Sequence, residues 1–119
     1  MAVTLVKSNE LANQLTKFAP GIDQKDAITT PDTEKMAVSY YEVHPGAPEL
    51  KMEMPFEEID YVIEGSATLS DETGRTYTLA KGDIFSIPKG SKISFYSEKG
   101  FKGVAIIHPC NWKELIPTG

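Results

Sequence analysis

Glu58-Ile59-Asp60-Tyr61-Val62-Ile63-Glu64-Gly65 and Gly82-Asp83-Ile84-Phe85-Ser86-Ile87-Pro88-Lys89-Gly90 are the two stretches that decide the fold. Each is a short, mostly apolar run with β propensity that stops at a turn residue, the pattern of a strand bounded by a tight connection. The pattern recurs along the chain. Met36 to Val43 ends at His44-Pro45-Gly46, Glu49 to Met54 ends at Pro55, and Lys92 to Tyr96 ends at Glu98-Lys99-Gly100. Ala67 to Ser70 leads through Asp71-Glu72-Thr73-Gly74 into Thr76 to Leu79, a hairpin with a charged tip, and Phe101 to His108 is the last long strand. Regularly spaced strands with no helices between them predict an all-β antiparallel barrel or sandwich, not a parallel α/β sheet.

The ends read differently. Ser8 is placed to cap a helix from Asn9 to Lys17, with Leu11, Leu15 and Phe18 on one face and Pro20 as its stop. Gly21 to Lys35 is polar and punctuated, an arm over the barrel with a short strand at Ala27 to Thr29. Asn111 to Leu115 predicts one closing helical turn. The 119 residues therefore make a single domain: helix and arm over 1–35, barrel over 36–108, C-terminal turn over 109–119.

A net charge of -5 argues against nucleic acid or an anionic membrane surface as a partner, since both call for a basic face. The one cysteine, Cys110, allows no internal disulfide, and no apolar run is long enough for a membrane span or a secretory signal. A reducing cytoplasm is the expected location.

The spacing of turn residues resembles the cupin superfamily of small β-barrels. Gly46, Glu58 and Gly65 stand where the first cupin motif has its glycines and its acid, and Gly82, Pro88 and Gly90 match the second. The resemblance implies an antiparallel double-stranded β-helix, a conical jelly-roll barrel. Where metal-binding cupins carry histidines, this chain has Met52, Met54 and Ile93, and Ser97 stands in place of the second motif's asparagine. More narrowly, Glu58 to Gly65, then Ile87-Pro88-Lys89-Gly90-Ser91, closed by His108-Pro109-Cys110-Asn111-Trp112, resembles the cupin domain of ethanolamine-utilisation EutQ-type proteins. That family also lacks the histidine set. It is associated with bacterial microcompartments, and some members have been assigned an acetate kinase activity.

Alternation along a strand puts Glu58, Asp60, Val62 and Glu64 on one face unless the sheet bulges, with Glu64 toward the rim. Two acids on one inward face cannot both ionise cheaply; they need a metal, a cationic ligand or a shared proton. One reading is a structural network holding the barrel; the other is a small polar pocket anchored by Glu58 and Asp60, with Tyr40, Tyr96 and His108 as candidate neighbours. Met52 and Met54 share a face. Together with Ile93 they read as apolar lining, more than as a soft thioether pair for Cu(I). A one-residue slip would instead turn Lys51 and Glu53 inward, where Lys51 would neutralise Glu58. Cys110 reads as a small hydrophobe, Trp112 as an anchor for the C-terminal turn, and His44 as an exposed turn residue.

These readings give a cupin without the usual histidine ligands that binds a small polar metabolite and takes no metal cofactor, a divalent ion at Glu58 and Asp60 being the less favoured option. The resemblance extends this to an accessory role in ethanolamine or related catabolism. The alternative is an enzyme using Glu58 and Asp60, either acid/base isomerase or lyase chemistry or the acetate kinase activity of the family. No glycine-rich phosphate cradle is present to support the kinase. An exposed sheet edge is a liability, so a homodimer paired through its sheets is expected, with the N-terminal arm crossing to the partner.

Overall fold

The computed structural model describes residues 3–29 and 36–117. One helical turn, α1 (Ser8–Ala12), precedes nine strands: β1 (Thr16–Ala19), β2 (Ile22–Thr29), β3 (Ala37–Val43), β4 (Leu50–Glu53), β5 (Glu57–Ser70), β6 (Thr76–Ala80), β7 (Ile84–Ile87), β8 (Lys92–Tyr96) and β9 (Phe101–His108). A 3₁₀ turn, Trp112–Leu115, follows. Every pairing among the described residues is antiparallel. Two sheets share β5. The first runs β1-β2-β3-β9-β5, with β7 on the far side of β5; the second joins β5 to β8 and β4, with β6 hairpinned back on β5. The result is a jelly roll curled around one core.

The crossing between sheets explains the length of β5, 14 residues. Its first half faces β9 and β7, its second half β8 and β6. The register slips between Val62 and Glu64, a bulge that re-phases the strand. Before it, Asp60 and Val62 point inward; after it, Ala67 and Leu69 do, while Glu64 is exposed beside Lys102. Gly65 makes the crossing at φ 88°, and a Cβ there would lie 2.2 Å from the Gly100 carbonyl oxygen, so only glycine fits. The anticipated break between Glu64 and Ala67 is therefore a bend within one strand.

Clean alternation builds the core. On β9, Phe101, Gly103, Ala105 and Ile107 are buried while Lys102, Ile106 and His108 are exposed. Phe101 stacks on Tyr41 at 5.9 Å and meets Phe95 edge-on at 5.3 Å. On β4, Met54 just beyond the strand is buried and Met52 half-buried, with Lys51 and Glu53 exposed, so the register with the methionines inward is the one formed.

The N-terminal region departs from the sequence reading. The helix ends at Ala12 instead of Lys17, its N-cap is Lys7, and the Ser8 hydroxyl caps nothing. It buries no residue, and so short a helix has little to hold it without a packed face. Beyond it, Pro20-Gly21 forms a tight turn, with Gly21 at φ 74°, that folds β1 back on β2. What was expected as an arm with a strand at Ala27 to Thr29 is an eight-residue strand over Ile22–Thr29, paired with β3 in the main sheet. The end of that arm, residues 30–35, lies outside the described residues. At the other end Trp112 is buried against Phe18 and Phe56, at 5.7 and 5.4 Å, and its Nε1 donates to Asp26 Oδ1 at 3.2 Å.

Candidate functional site

The inner faces of the two sheets enclose a cavity of about 90 Å³. Its walls are mostly apolar: Met52, Met54, Ile93, Phe95, Phe85 and Ile87 on one side, and Ile22, Val43, Ala105 and Ile107 on the other, with Phe18, Phe56 and Trp112 at one end. Five polar side chains reach it: Glu58 and Asp60 from β5, Tyr41 and Ser39 from β3, and Gln24 from β2. No lysine, arginine or histidine lines it. A neighbouring depression between β1, β4 and the C-terminal turn shares Phe18, Gln24, Leu50 and Met52 with the cavity.

Ser39 Oγ donates to Gln24 Oε1 at 3.0 Å, a fully buried pair. Tyr41 Oη donates to Asp60 Oδ2 at 2.7 Å. Gly103, opposite Tyr41 on β9, makes that bond possible: a Cβ there would fall 2.6 Å from Tyr41 Oη. Asp60 is 2% exposed, and its second oxygen, Oδ1, is the one buried side-chain oxygen or nitrogen among the described residues without a partner. Leaving such an acceptor unmatched is costly, so it marks a place where a donor belongs.

The acids hold protons tightly. Burial pushes Glu58 well above the ordinary carboxylate range, and the charge of Asp60 and a hydrogen bond to it push in the same direction. Burial raises Asp60 to about 7, while the hydrogen bonds from Tyr41 and Glu58 pull it down. Tyr41 is raised well above its usual value by burial and by the Asp60 charge, so it stays a donor. The two acids and the phenol thus form a group that favours holding its protons, at the wall of a greasy pocket.

The expected site residues divide cleanly by placement. Glu58, Asp60, Met52, Met54 and Ile93 all line the cavity. Tyr40, Tyr96 and His108 do not. Tyr40 points outward and donates to Glu42 Oε1 at 2.9 Å; Tyr96 is exposed at the end of β8; His108 is exposed and faces Glu57 at 3.8 Å. The neighbour from β3 is Tyr41, one residue along, which the strand's alternation turns inward with Ser39. Glu42 carried the signal, since a charged residue on the same face as Tyr40 marks that face as the outer one. Gln24 escapes the sequence reading because β2 reads there as an arm, and Ser39 because it shares the inward face of β3 with Tyr41 and not with Tyr40. Ser97 is buried but structural: it donates to the Ser66 carbonyl and accepts from the Gly100 amide. His44 is exposed yet paired with Asp23 at 2.8 Å.

The donor set does not suit the transition metals that cupins commonly hold. Two thioethers, an isoleucine and a carboxylate occupy the ligand positions, and among the described residues no three His, Cys, Asp or Glu side chains gather into a metal-holding group.

A jelly roll with this motif spacing and this interior is a cupin whose usual imidazoles are replaced by apolar side chains and an acid pair. An RmlC-like cupin from Shewanella frigidimarina shares the fold with a TM-score of 0.75 at 13% identity, over 95% of this chain and 96% of that one. The family model described as "Ethanolamine utilisation protein EutQ" matches residues 3–114, and the chain belongs to that family. It is 31% identical to the acetate kinase EutQ of Escherichia coli over 76% of this chain and 37% of that protein. It also superposes on the EutQ protein of Clostridium difficile with a TM-score of 0.69 at 25% identity, over 80% of this chain and 67% of that structure. The chain thus spans a little over a third of the length of the curated relative from E. coli.

Proposed function

We propose that this EutQ-family cupin binds a small polar metabolite inside the barrel, in the service of ethanolamine or related catabolism in the cytoplasm. The observation that carries the reading is Asp60 Oδ1, a buried acceptor left open in a cavity where Glu58 and Tyr41 already converge. Beside the proton it shares with Glu58, Asp60 receives one side-chain donor, Tyr41, and its Oδ1 is left to be matched. The test is a thermal-shift screen of short-chain amines, alcohols, aldehydes and acids on the natural chain and on Asp60→Asn. The reading expects at least one compound to stabilise the first and not the second. Compounds that stabilise both equally, or none at all, would overturn it.

A second reading is favoured by the poise of Asp60 at about 7 beside Glu58, whose carboxyl burial also pushes up. Such a pair suits general acid/base work on a small substrate, of isomerase or lyase type. Acetate kinase chemistry, named for the longer relatives, draws no support from this cavity: phosphoryl transfer needs a cradle for phosphate, and the lining carries no cation.

The same chain is proposed to work as a homodimer. Across the outer face of the first sheet run two rows of apolar side chains, Val38-Ile106-Ile59 and Tyr40-Val104-Tyr61-Ile84, in register from β3 to β7. Ile84 is 70% and Ile59 52% exposed. An exposed apolar face bordered by charges of both signs, Lys102 with Glu42 and Glu64, suits a second copy. Sedimentation as a monomer at micromolar concentration would overturn the dimer.

A further inference from the structure

Which charge class of metabolite the cavity accepts follows from its lining, and this inference rests on the reading that the cavity binds a ligand at all. Two carboxyl groups and a phenol face a space otherwise walled by carbon and sulfur. The two remaining polar groups, Ser39 and Gln24, are engaged with each other. On the elements packed around the acids, β3 contributes Tyr41 and Ser39, β2 contributes Gln24, and β4, β7, β8 and β9 contribute only apolar side chains. Asp26 on β2 does not line the cavity and accepts from Trp112. The cations bordering neighbouring depressions, Lys17 and Lys113 on one side and Lys51 and Lys92 on another, lie outside the cavity, where all are exposed to solvent and screened. A negative charge entering this space would meet an acid pair and no counter-ion.

We propose that the cavity is a receptor for a compact organic cation, a primary ammonium on a short carbon chain, whose N–H groups are accepted by Asp60 Oδ1 and the Glu58 carboxyl. Two further observations bear on the choice. The aromatic rings of Tyr41, Phe56, Phe95 and Trp112 line the same space, and ring faces attract cations more than anions. The volume, about 90 Å³, holds the equivalent of roughly three waters at about 30 Å³ each, enough for a few heavy atoms and too little for a nucleotide or a sugar. An ammonium also resolves the electrostatic problem of the empty site. Its charge favours the ionised carboxylates, so the proton that the two acids share leaves as the ligand enters. Affinity for a cation must then rise with pH through the range in which the acid pair titrates; affinity for an anion must fall, and a neutral ligand must show little dependence.

The experiment is isothermal titration calorimetry of the full chain with ethanolamine, methylammonium, acetate and ethylene glycol, at pH 6 and pH 8, in buffers of different ionisation enthalpy. The Met52 and Met54 methyl signals are followed in parallel by nuclear magnetic resonance. The expected result is binding of ethanolamine or methylammonium about tenfold tighter at pH 8 than at pH 6, with a proton released at the lower pH. The methionine signals should move, and both effects should vanish in Asp60→Asn. Glu58→Gln serves as the second variant; with one acid neutralised permanently, its pH dependence should flatten. Acetate or ethylene glycol binding more tightly than either ammonium, with loss in Asp60→Asn, would overturn the charge class and leave the cavity as a binding site. Ammonium binding that ignores pH and survives both substitutions would overturn it as well. If no probe moves the methionine signals at either pH, the proposed binding function fails and this inference fails with it.

Discussion

The two faces of β5 before its bulge are the reverse of what a barrel strand ordinarily presents. Inward go Glu58, Asp60 and Val62; outward go Ile59 and Tyr61, both exposed. After Gly65 the ordinary order returns, with Ala67 and Leu69 buried and Ser66 and Thr68 exposed. A folding protein gains by hiding apolar surface and wetting carboxylates. A strand that does both the other way round for half its length, then corrects itself, marks that half as the part shaped by something besides stability. Inside, that is the cavity; outside, the face proposed for the second copy.

The sharpest way to break the comparison is to disturb the crossing that separates the halves. Gly65→Ala drives a methyl into the Gly100 carbonyl at a positive φ, and is expected to cost more than about 3 kcal/mol, read as failure to fold or a collapsed denaturant midpoint. Next in size is the pH response. Because burial raises Glu58 and Asp60 in the folded chain, the unfolded chain ionises first as pH climbs from about 4; folding therefore weakens from there through about 7, where Asp60 titrates. Stability by urea titration should rise by about 2–4 kcal/mol from pH 8 to pH 5, and the slope should shrink in Asp60→Asn. Smaller again, Tyr41→Phe and Gly103→Ala should each cost about 1–2 kcal/mol, the first by deleting the donor to Asp60 and the second by displacing the ring that carries it. Since they break the same bond, the double variant should fall short of the sum. Smallest is the outer face: Ile59→Ser with Tyr61→Ser should change the stability of the protomer by no more than about 0.5 kcal/mol while shifting sedimentation toward the monomer.

Much of this was legible in the sequence because it rests on period and punctuation. Turn residues at Gly46, Gly65, Gly82 and Gly90 all take positive φ, and the acids at 58 and 60 share a face whatever else the chain does. The errors fell where local signals competed. Leu11, Leu15 and Phe18 have helical spacing, yet Phe18 belongs to a strand, because Pro20-Gly21 returns the chain onto Ile22–Thr29 and pairing over distance outweighs a marginal helix. That turn dipeptide was the available clue. In Ala37–Val43 both alternating sets contain a tyrosine, so hydrophobicity alone could not choose between Tyr40 and Tyr41. Gly103 gave no sign of its purpose, since the space it leaves is filled by a ring 62 positions earlier in the chain.

The aromatic end of the cavity is assembled from β1 and the final 3₁₀ turn, Phe18 meeting Trp112 over Phe56. On the ribosome, then, the barrel strands are all made before the residue that seals them has emerged. For that interval the acid pair sits in an unroofed, wetter bowl, and its hold on protons strengthens only once Trp112 has docked.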